Sequence, residues 1–116
     1  MVQVKTITLT YPYNSLQLVN YTSATYQYYN CYLPLVNSDS QLGSEITFIK
    51  TNGVTTNTTA SLSGFFLGVQ SGNSIFTGTA STTLTTTTSI FFYTYVKFVA
   101  IKNISGTYGW YVVNVN

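Results

Sequence analysis

Apolar and polar residues trade places at nearly every step from Glu45 to Thr51, with Ile46 and Phe48 on one face and Ile49 on the other. That period of two belongs to a half-buried strand. The run stops at Asn52-Gly53, a strong short-range hairpin signal, and Val54 to Leu62 returns as a Thr-rich strand with so little apolar content that it belongs at an edge or against another subunit. The same period recurs along the chain. Val2 to Thr10 alternates in two phases, Val2 and Val4 on one face and then Ile7 and Leu9 on the other, which implies a bulge or a strand covered on both faces in different halves. Tyr11-Pro12-Tyr13-Asn14 breaks the pattern as a turn. Leu16 to Thr22 and Ala24 to Leu33 follow as strands, the second carrying Tyr26, Tyr28 and Tyr32 on one face. Leu35 to Gly43 is a polar loop.

In the second half, Phe65, Leu67 and Val69 mark a strand, Ile75 to Ala80 a short one interrupted by Gly78, and the Thr run Ser81 to Thr88 an exposed strand or extended loop. Ile90 to Ile101 is apolar or aromatic on both faces, which predicts one central strand covered on each side. Tyr108 to Val115 pairs back onto it. Helix-favouring residues are scarce throughout. The prediction is all-β: a single-domain β-sandwich over residues 1–116, jelly-roll-like, of about eight or nine short antiparallel strands. An immunoglobulin-like sandwich is disfavoured because no Cys…Trp…Cys framework exists.

Composition changes the picture in one respect. Charged residues make up 5% of the 116 positions, against a usual share of about a quarter. There are four Lys, no Arg, one Asp and one Glu, for a net charge of +2. The predicted surface is therefore Thr, Ser, Asn and Tyr, which costs little to desolvate and suits packing against copies of itself or a neutral partner. Lys5, Lys50, Lys97 and Lys102 are too scattered for a phosphate-binding patch, so no nucleic acid is expected. The lone Cys31 excludes an intrachain disulfide and reads as a small buried hydrophobe. MVQVKTITLT lacks the features of a signal peptide, and no run has the length of a membrane-spanning helix; synthesis in a reducing compartment and no membrane partner are expected. Three sequons, at Asn20, Asn57 and Asn103, are what chance supplies in so Ser- and Thr-rich a chain.

Few parts for catalysis are present. The absence of His removes Ser-His-Asp and Cys-His nucleophile systems and most zinc sites. Asp39 and Glu45 are the only carboxylates available for a glycosidase-type pair, and a turn residue and a strand-start residue are the simpler roles for them. Asn37-Ser38-Asp39-Ser40 offers one carboxylate, too little for a calcium loop. No catalytic, cofactor-binding or metal-binding residue is assigned. Aromatic residues are 16% of the chain. Tyr26, Tyr28, Tyr32, Tyr93, Tyr95 and Tyr111 are the candidate contacts, with three readings: cross-strand pairs within a sheet, a subunit interface, or a glycan surface on which rings stack against sugars.

Leu33-Pro34, a polar loop, Gly43-Ser44-Glu45-Ile46-Thr47-Phe48-Ile49-Lys50, then Asn52-Gly53 and a closing strand Gly109-Trp110-Tyr111-Val112-Val113 resemble, from Leu33 onward, small β-domains in fibre, spike and minor capsid proteins of viruses, including large DNA viruses and phages. The shaft repeat of long fibres is missing. The resemblance implies a symmetric virion component, trimeric or otherwise, sometimes receptor-binding, and it carries over no catalytic residue. The expectation is a non-enzymatic structural protein located in the virion. It would form a homo-oligomer, a trimer being favoured, and join other virion proteins through uncharged Thr- and Tyr-rich faces. A glycan- or receptor-binding module is the alternative.

Overall fold

β-Branched and aromatic side chains lose rotamer freedom in a helix and pack well on a pleated surface. The chain follows that preference. The computed structural model describes residues 3–19, 27–50, 64–78, 84–91 and 95–115. The described strands are β1 (Gln3–Thr8), β2 (Leu16–Val19), β3 (Gln27–Tyr32), β4 (Glu45–Lys50), β5 (Gly64–Gly68), β6 (Ser74–Thr77), β7 (Thr85–Thr87), β8 (Ser89–Phe91), β9 (Tyr95–Lys102) and β10 (Tyr108–Val115), with one 3-10 turn at Asp39–Gln41. They form a four-stranded sheet in the order β1-β3-β5-β8 and a six-stranded sheet in the order β2-β4-β9-β10-β6-β7. The two sheets pack as a β-sandwich, as the alternation predicts.

The pairing differs from the expected antiparallel, jelly-roll-like arrangement. β1–β3, β3–β5, β2–β4 and β6–β10 are parallel; β4–β9, β9–β10, β5–β8 and β6–β7 are antiparallel. The cause lies in the chain path. β1 to β5 fall alternately in the two sheets, so every return to a sheet follows a crossing through the other and arrives in the same direction. Parallel neighbours need such a crossover, whereas hairpins predominate only after β5. Ten strands are described, more than the eight or nine expected, because Ile90 to Ile101 is not one strand. Its start, β8, lies in the four-stranded sheet and its end, β9, in the six-stranded sheet. No bulge interrupts β1, whose register with β3 is continuous from Gln3 to Thr8; the register shift falls instead in β10, between Val112 and Asn114. The Asn52-Gly53 turn and the strand from Val54 to Leu62 lie outside the described residues.

The core is built from rows that cross the sheets. On the inner face of the four-stranded sheet, Ile7, Cys31, Leu67 and Ile90 are successive register partners. Cys31 and Leu67 at the centre are buried, while Ile7 on the edge strand is 36% exposed. Facing them, Ile46 pairs with Phe98, and Ala100, Trp110 and Ile75 form a continuous row. All five are buried. Phe48 and Phe98 meet edge to face, 6.3 Å between centroids, the arrangement favoured by aromatic quadrupoles.

The segment between β3 and β4 closes one end of this core. Leu33, Pro34 and Val36 are buried although they belong to no strand, so their backbone groups need partners from elsewhere. Trp110 Nε1 donates to the Pro34 carbonyl at 2.9 Å and Gln70 Nε2 to that of Leu33 at 3.0 Å. The Asn73 amide clasps Val36 twice, accepting from its N–H at 2.8 Å and donating to its carbonyl at 2.9 Å. At the far end Gly43 N–H donates to Ala100 O and Ala100 N–H to Ser44 O, which ties the loop into β9.

Candidate functional site

β2 runs parallel to β4, the strand beside it, but presents its leucines to the outer face of the sheet. Its register with β4 sets Gln17 against Phe48 and Leu18 against Ile49, and Phe48 points into the core while Ile49 points out. The two leucines of β2 therefore lie on the outer face of the six-stranded sheet, Leu16 51% and Leu18 65% exposed, beside Ile49 at 37%. Gln17 lies on the inner row with Phe48 and Val96. Ser15 O accepts from Thr47 N–H at 2.7 Å and anchors this register. The alternation of Leu16, Gln17 and Leu18 was visible in the sequence; its direction was not, because a one-residue slip reverses both faces at once.

The outer face continues from Leu18 and Ile49 to the half-buried Tyr95 on β9. Beyond it the same face closes up. Phe76 is completely buried there, its ring against the bare Cα of Gly109, and the Tyr111 hydroxyl donates to the Gly78 carbonyl. The open patch of Leu16, Leu18 and Ile49 lies at the β2–β4 side, and a second pair of exposed valines, Val113 and Val115, stands at the end of β10. One ion pair borders it, Lys97 Nζ to Glu45 Oε1 at 2.9 Å.

Four of the six predicted tyrosines fall among the described residues. Tyr26 and Tyr93 lie outside the described residues. Tyr28 occupies β3, in register with Val4 and Gly64. Tyr32 ends β3 on the outside of the four-stranded sheet, 36% exposed, with its ring over Gly68, where an added Cβ would stand 3.1 Å from it. Tyr95 and Tyr111 share the outer face of the other sheet, but the partner of Tyr111 is Val99, four residues beyond Tyr95, a distance of about 13 Å along the strand.

The two carboxylates are each engaged by a lysine. Asp39 Oδ1 accepts from Tyr108 Oη at 2.6 Å and from Lys102 Nζ at 2.9 Å, and the ammonium also stands over the Tyr108 ring, 5.3 Å from its centroid. The Tyr108 hydroxyl, then the hydrogen bond and charge of Lys102, hold the Asp39 carboxyl below its ordinary range. Among the described residues no three His, Cys, Asp or Glu side chains gather where they could hold a metal ion.

A cleft of about 490 Å³ opens beside β1 and β2, lined by Thr8, Leu9, Thr10, Pro12, Tyr13, Asn14 and Gln17. None of these was singled out as a contact in the sequence, since Tyr11 to Asn14 reads simply as a turn. Tyr13 is its fixed wall. The ring meets Tyr11 edge to face at 5.0 Å and Trp110 at 6.2 Å, and its hydroxyl donates to the Glu45 carbonyl at 3.2 Å. Burial, followed by the neighbouring Tyr11, pushes that hydroxyl up to about 12, so it stays protonated. Gln17 Nε2 donates to Asn14 O at 2.8 Å and folds the β2 entry back on itself. A smaller cavity of about 320 Å³, between Thr77, Ile90 and Val112, is mainly apolar.

No family model, curated protein or solved structure matches the chain. Among the described residues, no helix is long and apolar enough to cross a membrane.

Proposed function

We propose that this chain is a non-enzymatic structural protein of a virus particle that associates with copies of itself, in a trimer or another symmetric homo-oligomer, and with other particle proteins through the outer face of its six-stranded sheet at the β2–β4 side. The observation that carries the assembly reading is the outward placement of Leu16 and Leu18 beside Ile49. Three large aliphatic side chains on adjacent strands form a patch where β2 ends the sheet among the described residues. β2 itself carries neither a charge nor a proline, the devices that normally discourage edge association. Lys97 and Glu45 border the patch as a solvent-exposed ion pair, so this pair adds no net charge to repel a second copy. The placement in a virus particle rests on the sequence resemblance alone.

Light scattering coupled to size exclusion, over a hundredfold range of concentration, tests assembly. A discrete oligomer is expected, with Leu16→Lys/Leu18→Lys giving a folded monomer. A wild-type monomer throughout overturns the homo-oligomer. Mass spectrometry of purified particles, with copy number, tests the setting.

A further inference from the structure

We infer that the cleft beside β1 and β2 is a binding site for a neutral, polyhydroxylated ligand of mono- or disaccharide size. This goes beyond the assembly reading and does not depend on it, because the cleft lies on the inner side of β2 and the assembly patch on its outer side. The first observation is the inward amide. Gln17 shares a row with Phe48 and Val96, where the neighbouring positions are apolar and buried. An amide on such a row is costly unless it meets water or a polar ligand, and Gln17 is half-buried at the cleft wall. One of its N–H groups is held by Asn14 O, which orders the side chain while its Oε1 and second N–H keep their hydrogen-bonding capacity.

The second observation is the aromatic wall. Tyr13 is held by ring contacts to Tyr11 and Trp110 and by its hydroxyl on Glu45 O, so binding has little side-chain entropy left to remove from it. A fixed ring beside Pro12 supplies an apolar surface for the C–H face of a sugar, and Asn14, Gln17, Thr8 and Thr10 surround it with neutral donors and acceptors. The third is charge. Among the described lining residues none is ionisable at neutral pH, the Tyr13 hydroxyl being raised to about 12, so they offer no counter-ion to a phosphate, a carboxylate or an amine. Its volume, about 490 Å³, falls in the usual range of small-molecule sites, about 300–1,000 Å³. The smaller cavity lined by Ile90 and Val112 has no such set of amides among its described lining residues.

The test is a titration of the ¹⁵N-labelled full chain, followed by amide NMR shifts. The probes are the methyl glycosides of glucose, galactose, mannose and N-acetylglucosamine, with lactose and cellobiose, each taken to about 20 mM so that millimolar affinities are seen. Saturable shifts confined to residues 8–17 with at least one sugar are expected. Asn14→Ala and Gln17→Ala, both at exposed or half-exposed positions that keep the fold, should each weaken that binding about tenfold. Tyr13→Phe loses the hold on Glu45 O but keeps the ring in place, so it should bind somewhat more weakly than the wild type, and Tyr13→Leu should not bind. No saturable shift with any of these sugars overturns the inference. So do shifts that map elsewhere, or binding that survives both amide substitutions. Repeating the titration on Leu16→Lys/Leu18→Lys separates the two proposals: sugar binding by a monomer retains the cleft whatever the fate of assembly.

Discussion

Leu18 and Ile49 are register partners on parallel strands, and both face outward, 65% and 37% exposed. One position away, Gln17 and Phe48 face inward. A leucine exposed to this degree contributes little to folding of the single chain, so Leu18→Thr should change monomer stability by less than about 0.5 kcal/mol. Ile46→Ala, at a fully buried position on β4, should cost about 2–5 kcal/mol. Urea denaturation of the two variants below the association concentration checks the contrast. A large loss at Leu18 would mean that β2 faces the other way.

Trp110 supplies the second expectation. It is fully buried, and its indole N–H is the partner of a carbonyl in a loop 76 residues away in sequence. Trp110→Phe keeps an aromatic ring but leaves the Pro34 carbonyl without that donor, and should cost about 1–3 kcal/mol. Circular dichroism during denaturation is the measurement, since Trp110 is the only tryptophan and its replacement removes the fluorescence signal. A cost under about 0.5 kcal/mol would show that water reaches the carbonyl.

How far the sequence could be read depends on the element. Glu45 to Lys50 was fully legible, because strict alternation says that Ile46 and Phe48 share a face and the core then takes it. The sandwich followed from many such runs. Parallel pairing was not legible, since a strand alternates identically whichever way its neighbour runs. The division of Ile90 to Ile101 was hidden for a related reason: Ile90 and Val96 keep the same parity although they serve different sheets. The burial of Leu33, Pro34 and Val36 depended on amides from Gln70 and Asn73, contacts that no local pattern announces. The cleft was missed because Tyr13 and Gln17 become one wall only when β2 is placed beside β4 with its leucines outward.

Gly109 and Gly72 should respond differently to the same change. A Cβ on Gly109 would collide with the Ser74 carbonyl and the Phe76 ring, where β6 and β10 run side by side. The obstacle is backbone and cannot swing aside. Gly109→Ala should therefore cost more than about 3 kcal/mol or prevent folding. Gly72 has φ of +93° and nothing within 4 Å of an added Cβ, so Gly72→Ala carries only the left-handed penalty of about 1–2 kcal/mol. Thermal unfolding of both variants tests the order.

Acid should loosen the 3-10 turn. The Tyr108 hydroxyl and Lys102 hold the Asp39 pKa below its ordinary value, so the unfolded chain binds a proton there before the folded one does. The associated stabilisation is present above the ordinary carboxylate pKa and is lost as pH falls through the depressed value. Lys102 and Tyr108 are raised by the same contact, so their contribution is present below their ordinary pKa values and disappears as pH rises through the raised ones. The cluster is exposed to solvent, which keeps the effect small. Carboxyl NMR should give Asp39 a midpoint below the usual range, and Asp39→Asn should flatten the acid limb of the stability profile. An Asp39 midpoint at or above the usual value would refute the contact.

Cys31 offers a probe of separation between the two layers. It lies between Ile7 and Leu67 in the inner row of the four-stranded sheet and is buried. Burial alone pushes its thiol up to about 12, because a thiolate there would lose its hydration with no cation in exchange. At neutral pH the folded chain should therefore react with a disulfide reagent only through opening. The labelling rate should rise with urea in parallel with the population of the unfolded state, provided reclosing is faster than reaction. The same shift makes stability fall as pH climbs from the ordinary thiol value toward 12, and Cys31→Ala should remove that part of the alkaline decline. Rapid labelling without urea, at a rate independent of denaturant, would mean that the row from Ile7 to Ile90 admits solvent without unfolding.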